Sequence, residues 1–143
     1  MLAIGENHTH GFTLIEALVV VAIAALIAGL MFPRLQGIVS GQEYRMARSA
    51  LILAVRETRA LAIRSGKSAA FRVAADAKGY QVGARPSQTL PAAVALRSTA
   101  RDGSITFYND GTSNGGRLSL ADKTNRQDFI IFPTTGLIAE ARR

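Results

Sequence analysis

The sequence predicts an α+β protein: a long N-terminal helix, apolar in its first half and amphipathic in its second, packed on a small antiparallel β-sheet domain. Three observations predict this. Phe12 to Phe32 form an apolar run with Glu16 as its only charge. After Pro33, apolar residues recur at helical spacing as far as Ser65. From Lys67 onward the period falls to two, and turn residues recur at short intervals.

The apolar run of 21 residues would span roughly 31 Å as a helix at about 1.5 Å per residue, enough to cross a bilayer. A lone carboxylate near the start of such a span costs about 3 kcal/mol, so Glu16 is expected to be kept for a task. The segments expected are a leader at 1–11, a transmembrane helix at 12–33, an amphipathic extension at 34–66 and a β-rich domain at 67–143. Pro33, Gly37 and Gly41 are weak points, but a membrane helix tolerates a kinked Pro.

In the amphipathic part, a helix is expected from Gln42 to Ser65, with Gly66 as its C-cap. Ala47, Leu51, Ala54, Val55, Thr58, Leu61 and Ala62 fall on one side. Arg45, Arg48, Arg56 and Arg59 fall on the other, with Ile52 among them. The arginine stripe reads either as a solvated face or as a contact surface for anionic neighbours. Arg34, near the membrane exit, is placed to meet lipid phosphate.

Strands are expected at 69–74 and 80–85, paired around Asp76-Ala77-Lys78-Gly79. Pro86 and Pro91 bracket a connection. Further strands are expected at 93–96, 105–108, 117–120, 129–132 and 137–139. Asp102-Gly103, Asn109-Asp110-Gly111 and Asn114-Gly115-Gly116 supply residues able to adopt positive φ.

Composition narrows the chemistry. The chain has no Cys, and both His residues, His8 and His10, lie in the first eleven positions. Zinc sites and most nucleophile–base pairs are built from those residue types. No EF-hand spacing is present. Gly111 to Arg117 is Gly-rich but lacks the Lys-Ser/Thr ending of a phosphate-binding loop. The expectation is a non-enzyme without metal or cofactor. The formal charge of +7 favours anionic partners: acidic protein surfaces, lipid head groups or nucleic acid. Residues 1–11 carry no Lys or Arg, whereas a cytoplasmic flank is usually cationic; either the Met1 amine with His8 and His10 suffices, or the start codon lies upstream.

Gly11-Phe12-Thr13-Leu14-Ile15-Glu16 and the apolar helix behind it resemble the type IV prepilin and type II secretion pseudopilin families. The resemblance implies cleavage by a prepilin peptidase between Gly11 and Phe12 and N-methylation of Phe12. It makes Glu16 the fifth residue of the mature chain, with a role in subunit assembly. A secretory signal peptide has the opposite order, with the apolar stretch before the cleavage site.

The second half is similar to the H-type minor pseudopilin domain, which FimT-type minor pilins share. The similarity rests on Phe107 to Leu118 and on Thr135-Gly136; Asn109 and Leu137 depart from the family's pattern. It implies a single-pass protein of the bacterial inner membrane with its C-terminal domain in the periplasm. Its implied role is a minor pseudopilin near the tip of a pseudopilus that drives export of folded proteins. The implied partners are other major and minor pseudopilins, the prepilin peptidase, the inner-membrane secretion platform and the lipid bilayer. The alternative is a FimT-like pilus protein that binds DNA for natural transformation, which the basic charge, Arg142 and Arg143 favour. Leu137-Ile138-Ala139 after Gly136 and an aromatic content of 6% count against it. The Gly-rich segment reads as a hairpin with special backbone geometry or as an exposed loop touching a partner.

Overall fold

The computed structural model describes residues 13–141, with the side chains of residues 30–40 and of Arg101 left aside. It contains one helix, α1 (Leu14–Ser65), and eight strands: β1 (Ala69–Val73), β2 (Gly79–Val82), β3 (Gln88–Thr89), β4 (Ala95–Ser98), β5 (Ser104–Phe107), β6 (Gly116–Ala121), β7 (Arg126–Ile131) and β8 (Ile138–Glu140). The chain divides into two compact units, Met1–Ile38 and Val39–Arg143, and the boundary falls within α1.

Thr13 caps α1. Its hydroxyl oxygen accepts the Glu16 backbone N–H at 3.3 Å, and its carbonyl accepts the Ala17 N–H at 3.2 Å. Thr13-Leu14-Ile15-Glu16 thus has the sequence form of a capping box, with the Glu16 carboxylate in the first turn where the helix dipole favours negative charge. The helix continues through Pro33, Gly37 and Gly41 and ends at Gly66, whose φ of +65° is the left-handed cap conformation glycine adopts without strain. The C-terminal unit accordingly includes a helix that starts upstream of Gln42.

Within that unit the helix buries Tyr44, Ala47, Leu51, Ala54, Val55, Thr58 and Ala62, a stripe recurring every three or four residues. Leu61 is half-buried against the same core. The alanines let the sheets approach closely. The Thr58 hydroxyl, fully buried, donates to the Ala54 carbonyl at 2.8 Å, which satisfies it within the helix.

The β domain consists of two four-stranded antiparallel sheets, ordered β3-β2-β1-β5 and β4-β6-β7-β8. In the first, Phe71 faces Val82 on one side and Ile105 on the other. In the second, Leu118 faces Phe129 and Leu96 faces Leu120. Their inner faces and the helix stripe form one core around Phe71, Phe107 and Phe129. Each large side chain there contributes about 2 kcal/mol through burial. Phe71 also stacks on Tyr80 with ring centres 5.3 Å apart.

Two sheets replace the single sheet expected. β5 returns to pair with β1, while β4, its predecessor in sequence, pairs with β6. The reversal between β4 and β5 is a single 3₁₀ turn in which Asp102 has φ of 58°. The strands expected at 80–85 and 93–96 are displaced too: Gly83, with φ of 56°, turns the chain after Val82, and β4 begins at Ala95. The bracketed connection contains the short β3, which the prolines on either side limit to two residues. In the β1–β2 hairpin it is Ala77 that takes positive φ, with the Asp76 carboxylate accepting the Lys78 N–H at 2.9 Å.

Candidate functional site

The distinctive motif residues of the C-terminal half converge on one helix side chain, Arg59. Its Nε–H is shared between the carbonyls of Gly111 and Thr135, each at 3.0 Å. Gly111 has φ of +84° and Gly136 +61°. A Cβ on Gly136 would collide with the Gly111 carbonyl oxygen and crowd the Arg59 stem, while one on Gly111 would lie 2.9 Å from an Arg59 guanidinium nitrogen. Both glycines are therefore required by backbone conformation and by close approach. Arg59 ties the two loops to the helix as a mechanical clamp.

The Gly-rich segment is pinned along its length. Tyr108 N–H donates to the Thr112 carbonyl at 2.9 Å, Ser113 N–H to Pro133 at 2.8 Å and Asn114 N–H to Thr106 at 3.0 Å. The Asn114 side-chain oxygen accepts the Thr106 N–H at 3.0 Å, covering the edge of β5. Ser113 is buried, and its hydroxyl oxygen accepts the Gly115 N–H at 3.1 Å. Asp110 accepts from both the Thr112 hydroxyl and its N–H, and these bonds hold its carboxyl below the ordinary carboxylate range. The special backbone geometry is present, and an antiparallel bridge between Phe107 and Ser113 closes the first turn, while β5 and β6 on either side belong to different sheets.

The arginine stripe divides. Arg45 and Arg56 are exposed. Arg48 is ion-paired with Glu140 of β8, and Arg59 is the clamp just described. Two of its four members are thus engaged within the domain, because long guanidinium stems on the flank of a helix reach the strand and loops beside it. Glu16 is exposed in the first turn of α1. Gly11, Phe12, Arg142 and Arg143 lie outside the described residues, as does the whole leader expected at 1–11.

Sequence reasoning missed Tyr44. Its hydroxyl lies 3.3 Å from the Leu120 carbonyl, and burial, reinforced by the nearby Asp122, raises its pKa. The helical stripe extended one turn backward from Ala47 would have included it. Among the described residues no group of three or more His, Cys, Asp or Glu side chains could hold a metal. Nor, among them, is any helix long and apolar enough to cross a membrane; the expected span at 12–33 extends past the described side chains, which reach Gly29 before the gap.

A long N-terminal helix on two antiparallel sheets is the fold of minor pilins and pseudopilins. The crystal structure of the type IV minor pilin FimU of Pseudomonas aeruginosa matches with a TM-score of 0.60 at 15% identity, over 72% of this chain and 91% of that one. The minor pseudopilin EpsH from the type 2 secretion system of Vibrio cholerae matches with a TM-score of 0.56 at 13% identity, over 69% of this chain and 96% of that one. The prokaryotic N-terminal methylation motif matches residues 7–32. Type II secretion system protein H of Xanthomonas campestris pv. campestris is 32% identical over 139 residues, covering 92% of this chain and 82% of that protein. The chain belongs to the type II secretion system protein H family, the H-type minor pseudopilins.

Proposed function

We propose that a prepilin peptidase cleaves between Gly11 and Phe12 and methylates the new Phe12 amine. The mature chain then sits as a single-pass protein in the inner membrane, with its C-terminal domain in the periplasm. From the bilayer it joins other major and minor pseudopilins in a short pseudopilus, near the tip. Growth of that filament from the inner-membrane secretion platform helps drive export of folded proteins. The role is assembly, with no catalysis. The observation that carries this reading is the match of the methylation motif to residues 7–32, which takes in the start of a helix that continues to Ser65. Intact mass of the protein extracted from membranes tests it. The expected species begins at Phe12 and carries one extra methyl group; a mature N-terminus elsewhere overturns the processing step. Loss of export on deletion of the gene tests the role.

DNA uptake is the second reading, supported by the net charge of +7 and by Arg142 and Arg143. Charge alone gives weak DNA binding that falls steeply between about 50 and 200 mM salt. A dedicated receptor keeps its affinity near 150 mM salt and loses it with Arg142→Ala plus Arg143→Ala. Little binding at about 150 mM salt is expected here. Micromolar affinity abolished by the paired substitution would reverse the ranking.

A further inference from the structure

The second sheet turns a basic face to solvent. Its inner residues Leu96, Leu118, Leu120, Phe129 and Ile131 are buried, so the alternate residues form the outer face. There Arg97 of β4 lies opposite Ser119 of β6, and Ser119 lies opposite Asp128 of β7. One step along in each direction, Arg117 and Arg126 flank that row, and all three arginines are exposed. The floor between them holds the small residues Ala95, Ser119 and Ala121, with Ile130 opposite Arg117. The outer face of the first sheet has Arg72 alone among Ala70, Gln81 and Thr106. The concentration of cations belongs to one sheet.

We infer that this face docks an acidic protein surface. The guanidiniums of Arg97 and Arg117, standing beside small side chains, can each grip a carboxylate side-on. Asp128 lies within the field of both Arg117 and Arg126 and is paired with Arg126 at 3.5 Å. A phosphodiester chain crossing the face would meet that negative charge at its centre, whereas a protein can present a donor to it. The face ends in apolar side chains: Phe132 is 45% exposed, and its N–H bonds at 3.0 Å to the carbonyl of Leu137, itself 54% exposed. Arginine beside an aromatic and an aliphatic residue is the composition that protein interfaces favour. The inference deepens the assembly reading by naming a partner's chemistry. The two fail separately, because processing and export can stand while this face binds nothing.

Fluorescence anisotropy on the full chain in detergent micelles, at about 150 mM salt, tests it. The probes are a labelled Glu-rich peptide of about ten residues and an oligothymidylate of about the same charge. The peptide is expected to bind, and Arg97→Gln plus Arg117→Gln to weaken it about tenfold, the combined effect of two favourable ion pairs. Arg45→Gln plus Arg56→Gln removes the same charge from the helix and is expected to change binding less than twofold. An unchanged far-UV circular dichroism spectrum checks that both variants fold. Three results overturn the inference: no peptide binding, equal weakening by the two double variants, or tighter binding of the oligonucleotide than of the peptide.

Discussion

The two ends of α1 use apolar residues in opposite ways. Every described residue from Leu14 to Gly29 is exposed, including Leu14 at 81%, Ile15 at 71% and Leu26 at 67%. Between Tyr44 and Ala62 one stripe of apolar residues is buried, while Met46 and Leu53 on the other side stay exposed. The first stretch is apolar all round, since Leu18, Val19, Val20 and Val21 point in successive directions and all are exposed. Such a surface is satisfied by lipid or by other helices, whereas the second stretch finds its partner inside its own chain. Hydrophobicity tells how much surface must be covered; its angular distribution tells by what.

Core truncation should separate the two stretches most sharply. Leu51 is fully buried, so Leu51→Ala is expected to cost about 2–5 kcal/mol of domain stability. Val20→Ala should change it by less than about 0.5 kcal/mol. Denaturant unfolding of the full chain, followed by tyrosine circular dichroism, checks this; equal losses would erase the distinction.

The clamp comes next. Gly136→Ala meets both a left-handed backbone and the Gly111 carbonyl, and is expected to cost about 2 kcal/mol or more. Arg59→Met keeps the apolar stem but leaves two carbonyls without their donor, an expected loss of about 1–3 kcal/mol. The double variant should lose less than the sum, because the two changes break one junction. Strict additivity in a double-mutant cycle would mean the loops are held independently.

A smaller effect is expected from pH. Asp110 and Asp128 are held below the ordinary carboxylate value of 3.8, chiefly by hydrogen bonds from Thr112 and Ser119 respectively. For Asp122, desolvation acts upward but is outweighed by bonds from Asn125 and Thr124. A depressed folded pKa contributes stability that is present above the unfolded value and lost as pH falls through the folded one. The β domain should therefore weaken below about pH 4, shallowly, since all three groups are near solvent. Burial raises Tyr44 and Tyr80, so stability should also decline as pH rises past 10. Thermal melts across this range check both limbs, and a domain that gains stability below pH 4 would contradict the assignment.

The smallest effect on the folded domain is expected at Glu16. Glu16→Ala should leave the melting temperature of the C-terminal unit unchanged while reducing crosslinking to other pseudopilins and export. We propose that its carboxylate pairs with a neighbour's Phe12 amine, which would offset two desolvation costs and set the register between subunits. Undiminished crosslinking and export would refute a required pairing role.

Much of this was legible in the residues. The stripe from Ala47 to Ala62 marked the buried face of the helix because a period of 3.6 places those side chains together whatever they pack against. Gly66, Gly103, Gly111 and Gly115 stood where the backbone takes positive φ. The division of the arginine stripe was hidden, because spacing along a helix does not reveal which loop lies within reach of a guanidinium. The outer-face arginines 97, 117 and 126 lie on three strands, and nothing local in the sequence announces that they become neighbours.

By itself, the sequence determined the α+β class, the cap of the helix at Gly66, the approximate strand positions and the N-terminal methylation motif. Each of these depends on residues close together along the chain, through backbone propensity and periodicity. Only the tertiary structure decided that β5 pairs with β1 while β4 pairs with β6, giving two sheets, and that Arg59 closes the two Gly loops. Those outcomes depend on contacts between residues far apart in the chain, selected by how the whole core packs, and local periodicity carries no record of them.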